Sequence, residues 1–174
     1  MITRISQDII DSAQKEYKSE FIWLREANLD LSDRENLTCY GRFSVPAATY
    51  TKNPQKYIGC PEAIVCVNQL AYVTWAGLIN EKLVDCGLSL EEFLDLPPVN
   101  MNMISINRLK FKRALRKDED FWGKMTLISY RTGDLIIGDV KFDFGNRAFL
   151  GEGMFVISKY RGNNGNDENG GKSQ

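Results

Sequence analysis

Apolar and polar positions recur along the chain with two different periods. Near the N-terminus, Ser6 is a suitable N-cap and apolar side chains recur at helical spacing from Ile9 to Tyr17, which predicts an amphipathic helix to about residue 18. Residues 36–45, NLTCYGRFSV, predict a strand that ends at Pro46, because proline has no N–H to donate to a sheet ladder. The chain therefore begins with a helix followed by a strand.

The longest apolar segment, residues 61–80, predicts a buried central helix. Pro61 stands where the first turn of a helix favours proline, and the segment is too long for an ordinary strand. A second, short helix is predicted after the capping-box pair Ser89 and Glu92, and Pro97 ends it.

Four segments rich in β-branched and aromatic residues follow the helices. They are MISINRLKFKRAL, WGKMTLISYR, DLIIGDVKFDF and RAFLGEGMFVISKY. Short turn-forming stretches separate them, which predicts an antiparallel meander of consecutive strands. Together with the long apolar helix, the pattern predicts an α+β hotdog fold, in which a curved antiparallel sheet wraps around a central helix.

We expect a single hotdog domain over residues 1–160, with the N-terminal helix as part of it. The remaining sequence, RGNNGNDENGGKSQ over residues 161–174, has no apolar side chain with which to offset the entropy of ordering. It is therefore predicted to be a disordered C-terminal tail.

Composition and charge narrow the classes of protein that the chain represents. Its 174 residues, 43% of them hydrophobic, suffice for one domain with a substantial core. The 22 basic side chains balance 23 acidic ones, so the chain lacks the positive field of nucleic-acid-binding proteins. No stretch approaches the roughly 18 consecutive apolar residues of a membrane span, and the N-terminus has no apolar leader. We expect a cytoplasmic protein without nucleic-acid or membrane partners.

Histidine and cysteine content excludes several chemistries. The chain has no histidine, which rules out Ser–His and Cys–His nucleophile systems and histidine-ligated metals, since each needs an imidazole. The four cysteines, at positions 39, 60, 66 and 86, lack CxxC spacing, so reduced thiols are expected, without a metal site or disulfide. Catalysis must then use carboxylate, phenol, amide, amine or backbone groups.

Three polar side chains interrupt the apolar central helix. At 100° per residue, Glu62 and Gln69 share one face and Asn68 lies on a neighbouring one. One interpretation is structural: the two amides hydrogen-bond loop backbone, and Glu62 complements the positive helix N-terminus, an interaction of about 0.3–1 kcal/mol. The other interpretation is functional, and the residues alone leave both open.

The functional interpretation places a reaction at the start of this helix. Gly59 and Cys60 would present unpaired backbone N–H groups that hold a carbonyl oxygen as it gains charge, and glycine lets a substrate approach closely. Glu62 would be the general base, since partial burial raises the pKa of a carboxyl group towards neutral pH. A binding protein without activity has no need of a carboxylate at this point.

The same helix carries the motif of a known family. Residues 62–72, EAIVCVNQLAY, followed by LINE at 78–81, resemble the central helix of the FcoT-type thioesterase family. The resemblance spans residues 37–125. Its further elements are Gly41-x-Phe43, Tyr50 and the basic strand Lys110-x-Lys112-Arg113, with Tyr17 similar to an upstream family tyrosine.

The resemblance implies a hotdog enzyme that acts on fatty acyl thioesters of acyl carrier protein or coenzyme A. Family members were first described as thioesterases, and similar proteins in isonitrile-lipopeptide and β-amino-acid pathways add glycine to a 2-enoyl thioester. They then release an N-carboxymethyl-3-amino fatty acid by hydrolysis. The implied assembly is a homodimer or larger homo-oligomer, with no cofactor apart from the phosphopantetheine that arrives on the carrier. A simple acyl thioesterase and a non-catalytic acyl-binding module stay open as alternatives.

Residue by residue, the resemblance and the chemistry nominate a site. The catalytic candidates are Glu62, Tyr50, Tyr57 and Asn68, with the backbone of Gly59 and Cys60 as the oxyanion site. The substrate-binding candidates are Tyr17, Arg42, Gln69, Lys110, Lys112 and Arg113. The chain departs from the family where Gly59 replaces an asparagine and Tyr57 replaces a histidine. In hotdog dehydratases the positions of Tyr57 and Asn68 hold a histidine and a carboxylate, so dehydration is not expected.

One dense run of basic residues precedes the second of the four strands. It comprises Arg108, Lys110, Lys112, Arg113, Arg116 and Lys117. A solvated strand face accounts for such a run, because exposed charge at a sheet edge prevents aggregation. A dock for the phosphate of phosphopantetheine and the acidic surface of a carrier protein accounts for it as well.

Overall fold

The computed structural model of the protein describes residues 1–47, 55–96 and 101–159. Its helices are α1 (Gln7–Ala13), α2 (Cys60–Asn80) and α3 (Leu90–Leu94), with one 3-10 turn at Ser19–Phe21. Its strands are β1 (Ile2–Arg4), β2 (Leu24–Asp30), β3 (Leu37–Phe43), β4 (Met101–Phe111), β5 (Phe121–Arg131), β6 (Leu135–Phe144) and β7 (Phe149–Ser158). The predicted tail, residues 161–174, lies outside the described part of the chain.

The seven strands form one antiparallel sheet in the order β1-β2-β3-β5-β6-β7-β4. Strands β5, β6 and β7 are consecutive hairpins, as predicted. The prediction that β4 continues this meander is wrong, because β3 occupies that side of β5 along residues 121–127, with Gly41 opposite Gly123. Strand β4 instead pairs with β7 at the far edge of the sheet.

The long helix α2 packs against one face of this sheet and supplies the centre of the core. Its buried side chains run from Glu62 to Ile79. Glycines in two strands allow the helix to approach closely: a Cβ on Gly41 would lie 2.7 Å from Leu70, and one on Gly138 would lie 2.6 Å from Trp75. The predicted hotdog architecture, an antiparallel sheet packed on a long helix, is confirmed.

The N-terminal region differs from its prediction. Helix α1 ends at Ala13, well before residue 18, because the next residues turn and the buried Gln14 side chain donates to the carbonyl oxygens of Ile10 and Leu24. The following chain then adds β2 to the sheet beside β3, and β1 pairs outside it. Two strands that the apolar pattern did not predict therefore extend the sheet.

Helix α2 also has the length and the mean hydropathy, 1.3, of a membrane-crossing helix. The expectation that no segment approaches a span was therefore wrong for length and composition. Within the fold, 78% of its most apolar window is buried, as is typical of the core helix of a soluble domain.

Candidate functional site

The start of α2 is built around the carboxylate of Glu62. Gly59 is the N-cap, and its backbone N–H donates to Glu62 Oε2 over 2.9 Å. A side chain at position 59 would crowd this contact, since a Cβ there would lie 3.1 Å from Glu62 Oε2. Glu62 is only 1% exposed, so the helix begins on a buried negative charge that complements its positive end.

A second contact pairs this carboxylate with a buried cation. Lys117 Nζ donates to Glu62 Oε1 over 2.5 Å, and Lys117 is 4% exposed. The sequence offered no direct signal for this partner, because Lys117 is the last member of the basic run and stands 55 positions away. Burial of both charges makes the ion pair the most unusual electrostatic feature of the described chain.

A short two-stranded ladder brings Lys117 to the helix start. Residues 56–58 pair with 115–117: Tyr57 lies opposite Arg116, Ile58 N–H donates to the Leu115 carbonyl over 2.8 Å, and Lys117 N–H donates to the Lys56 carbonyl over 3.0 Å. Because side chains alternate along an extended chain, Leu115 and Lys117 point inwards while Arg116 is exposed. The ladder fixes the ammonium beside the carboxylate.

The backbone N–H groups of Gly59 and Cys60 were both predicted to be unpaired, and for Gly59 this prediction is wrong. The Gly59 N–H is already bonded to Glu62, so it does not offer a free donor to a substrate. Cys60 begins the helix with an exposed side chain, and the N–H of a first helical residue has no acceptor within the helix. An oxyanion site at this end would therefore depend on Cys60.

Cys66 lies on α2 between Glu62 at the helix start and Asn68, which lines a cavity further along the helix. It lies about one turn after Glu62 on the same face, and burial together with the Glu62 charge raises the pKa of its thiol. Burial also raises the pKa of Tyr17, with a smaller contribution from Cys66.

The cavity has a volume of about 350 Å³ and lies between α1, α2 and α3. Its main lining residues are Ala13, Tyr17, Asn68, Tyr72, Leu94, Leu96 and Phe155. The structure therefore brings together two predicted site residues, Tyr17 and Asn68, which are 51 positions apart in the sequence. Ser12, Lys15 and Glu16 also line it. An apolar floor bordered by polar and charged groups suits an acyl chain that ends in a carbonyl.

Tyr72 is a lining residue that the site prediction omitted, although it lies within the family motif. Burial first, and then the charges of Tyr17 and Glu16, raise its pKa to about 12. Its ring packs against Phe93 at 5.2 Å between centroids, and its hydroxyl reaches the Leu96 carbonyl at 3.5 Å. Its spacing of four residues from Asn68 was the available signal, since such pairs share a helix face.

Gln69 has a structural role instead of the predicted substrate contact. Its side-chain oxygen accepts from the backbone N–H groups of Trp23 and Leu24, both over 3.1 Å, and its nitrogen donates to the Phe21 carbonyl. The residue is fully buried. It ties α2 to the chain that enters β2, so the structural interpretation holds for this amide.

Arg42 lies on the outer part of the sheet and is engaged by two carboxylates. Its guanidinium contacts Asp120 at 2.6 Å and Glu26 at 3.3 Å, and the bond to Glu26 is the main cause of its raised pKa. The nomination of Arg42 as a carboxylate ligand therefore competes with two acids already in place.

The side chains of the basic run have different partners in the structure. Arg113 donates to the carbonyls of Gly145 and Asn146, and Arg116 pairs with Asp118 and Glu119. Lys110 and Lys112 are exposed. Because Lys117 points inwards to Glu62, the run does not form one continuous basic face, and its predicted docking role rests on Lys110 and Lys112.

Two of the predicted catalytic residues are the tyrosines at positions 50 and 57. Tyr57 is 50% exposed and lies opposite Arg116 in the ladder, on the face that points away from Lys117. Tyr50 lies outside the described residues. Within residues 1–47, 55–96 and 101–159, no group of three cysteine or acidic side chains is placed to hold a metal ion.

The thiols supply a direct check of this arrangement. In the folded protein one thiol, that of Cys60, is expected to react rapidly with a disulfide reagent such as DTNB, because the other three are buried and burial raises the pKa of Cys39 to about 12. All four should react in denaturant. Two or more fast thiols before unfolding would contradict the buried placement of Cys39, Cys66 and Cys86.

Comparisons with known proteins agree with the fold and the motif. A model of the FcoT-like thioesterase domain family matches residues 14–148. Curated proteins gave no significant match.

Solved structures show a looser likeness. An acyl-CoA hydrolase mutant from Staphylococcus aureus is 12% identical at a TM-score of 0.42, with 69% of this chain covered, and the chain spans 65% of that protein's length. S. sahachiroi AziG is 11% identical at a TM-score of 0.43, and the match covers 79% of this chain and 92% of AziG. A hypothetical thioesterase with coenzyme A from Streptococcus pneumoniae is 8% identical at a TM-score of 0.43, and the match covers 87% of this chain and 95% of that protein. At these scores the family match alone carries the assignment.

Proposed function

The chain belongs to the family of FcoT-like thioesterase domains, and from this premise we propose that it is an enzyme acting on fatty acyl thioesters. The proposed substrate is a 2-enoyl chain on acyl carrier protein, to which the enzyme adds glycine before hydrolysing the thioester. The observation that carries the proposal is the buried carboxylate of Glu62 at the start of α2, the same helix that supplies Asn68 and Tyr72 to the cavity.

In the addition step, Glu62 accepts a proton and the Cys60 N–H stabilises the negative charge that develops on the thioester oxygen. Glycine is an ammonium ion at neutral pH, so Glu62 takes a proton from it before the nitrogen bonds to C3 of the enoyl chain. The displaced electrons move to the thioester oxygen, where the Cys60 N–H stabilises the charge. As the carbonyl forms again, C2 takes the proton from Glu62, which returns to its carboxylate form. The Glu62 carboxylate that takes this proton is held by the Gly59 N–H at Oε2 and by Lys117 at Oε1.

Hydrolysis uses the same groups. Glu62 takes a proton from water as the water oxygen bonds to the carbonyl carbon, and the carbon–sulfur bond breaks as the carrier thiol leaves with that proton. The fatty chain occupies the cavity, where Tyr17 and Tyr72 stay protonated because burial raises their pKa values. The Tyr17 hydroxyl can then donate to the substrate, whereas that of Tyr72 donates to the Leu96 carbonyl. Asn68, on the same wall, adds an amide donor.

A simple acyl thioesterase is the second candidate, and one observation favours it. Addition of glycine requires a ligand for the glycine carboxylate, for which arginine is best suited. Arg42, the nominated arginine, is paired with Glu26 and Asp120, whereas hydrolysis needs no such ligand. A non-catalytic acyl-binding module is less well supported, because capping the helix needs the Oε2 bond to Gly59 and not a buried cation on Oε1.

Partners and assembly are part of the proposal. Acyl carrier protein would approach the exposed side chains of Lys110 and Lys112, and no cofactor is needed apart from its phosphopantetheine. Among the described strands, β4 has β7 as its neighbour on one side and ends the sheet on the other. An open edge of eleven residues suits pairing with a second copy, in a cytoplasmic homodimer or larger homo-oligomer.

The reaction is tested by mass spectrometry of products from a 2-enoyl thioester with and without glycine. With glycine, we expect an acid heavier than the enoic acid by one glycine. The control is the saturated thioester of the same length, which can be hydrolysed but has no double bond to accept an amine. Free acid without adduct from both substrates would establish the simple thioesterase, and unchanged substrate throughout would contradict both activities.

A further inference from the structure

The Glu62–Lys117 pair exceeds what the helix start requires. A glutamate at the third helical position caps the N-terminus by bonding the N-cap N–H, and Glu62 does so through Oε2. That bond needs no partner on Oε1, where Lys117 is bound. Replacing a buried ion pair by apolar side chains of similar volume is often neutral or stabilising. Fold stability therefore does not require the pair as a whole, although either charge would be costly to leave buried without the other.

Lys117 is held in place independently of its charge. Its backbone N–H donates to the Lys56 carbonyl, and two residues earlier the Leu115 carbonyl accepts from Ile58 N–H. Leu115 is itself wedged against the β6–β7 turn, where a Cβ on Gly145 would lie 2.7 Å from it. The ladder thus presents the ammonium at one fixed position, directly beside the residues that precede α2.

We propose that Lys117 is a positioning residue for Glu62: its ammonium keeps the buried carboxylate ionised and correctly oriented to accept a proton. The inference rests on the proposed function, because it concerns the base of that reaction. A buried carboxylate without a counter-charge favours its neutral form, whereas an adjacent cation favours the anion. Lys117 therefore provides the charge state that a general base needs, without touching the substrate.

Other charged and titratable groups around the pair have different positions. On α2, Cys66 lies on the Glu62 face and Cys60 is exposed at the first turn. On the ladder, Tyr57 and Arg116 face away, with Arg116 paired to Asp118, and the Lys56 side chain is exposed. Among these groups, Lys117 is the cation in contact with the carboxylate.

The decisive measurement is the pH profile of kcat/KM for Lys117→Met. Glu62 must be ionised to act as a base, so the acid limb is expected to move up by about one pH unit or more when the cation is lost. On the acid limb, activity at a given pH then falls about tenfold or more, and it recovers towards the wild-type value at pH values above the limb. Lys117→Arg, which keeps the charge, should restore the wild-type limb. Lys56→Met is the matched control, since it removes one exposed positive charge from the same ladder.

A purely structural lysine gives a different result. In that case Lys117→Met lowers the rate by the same factor at every pH, or leaves it unchanged, and either profile overturns the proposal. A second measurement does not depend on activity: carbon-13 NMR of labelled glutamate follows the ionisation of Glu62 directly. Its midpoint should rise in Lys117→Met and stay in place in Lys56→Met. An unshifted midpoint refutes the role of Lys117 even if the enzyme is active, whereas a shifted midpoint without thioester turnover rejects the proposed function alone.

Discussion

Glu62→Gln is expected to lower kcat/KM for thioester turnover by about a hundredfold or more, since a positioned general base contributes about 10²–10⁴-fold. Glutamine has nearly the same shape and still accepts the Gly59 N–H, because the capping box tolerates Glu or Gln. The substitution therefore removes the proton acceptor with little change to the helix start. The measurement is initial rate against substrate concentration, with and without glycine.

This variant also leaves a buried ammonium without its anion. Breaking a buried pair from one side costs about 3–5 kcal/mol, so the free energy of unfolding should fall in Glu62→Gln. The matched control is Glu62→Gln combined with Lys117→Met, in which both charges are gone and stability should largely return. If activity also returned in the double variant, the loss in the single variant would be one of stability, and Glu62 would not be the base.

Trp75→Ala is expected to destabilise the protein by about 3–5 kcal/mol, the usual cost of truncating a buried tryptophan. Trp75 is 2% exposed, and its ring lies against Gly138 of β6 and edge-on to Tyr130 of β5, 6.2 Å between centroids. The substitution would leave a cavity where α2 meets the sheet. Urea unfolding followed by circular dichroism gives the change in free energy.

Trp122→Ala is the matched control for this prediction. Trp122 lies on β5 and is 45% exposed, so its removal should change stability by about 0.5 kcal/mol or less. Comparable losses at both positions would mean that α2 is not seated on the sheet through Trp75. The contrast tests the placement of the helix, on which the position of the candidate site depends.

Local sequence signals predicted α2 and α3 well, but not the end of α1 at Ala13. The long helix was expected over residues 61–80 and forms over Cys60–Asn80, because proline at its start and a long apolar run are both local properties. The capping box at Ser89 and Glu92 forms both of its hydrogen bonds, 2.8 and 3.2 Å. Such signals depend only on residues that are close in the sequence, so they can be recognised without knowledge of the fold.

Strand β2 shows where local signals fail. Its sequence, LREANLD, consists largely of residues with good helix propensity, and a register shift between Leu24 and Glu26 breaks the alternation that marks a strand. The residues are extended because they pair with β3 and because Gln69 binds the backbone at their start. Tertiary pairing outweighs propensity at this position.

The sequence by itself determined the family, the central helix, the later strands and the identity of Glu62 as the charged residue of the helix start, since each depends on a motif or a period. The tertiary structure alone decided that Lys117 faces Glu62, that Gln69 serves the fold, and that Tyr17, Asn68 and Tyr72 share a cavity. The physical reason is that these contacts join elements far apart in the chain. Their geometry is fixed by strand pairing and side-chain alternation, which no short stretch of sequence specifies.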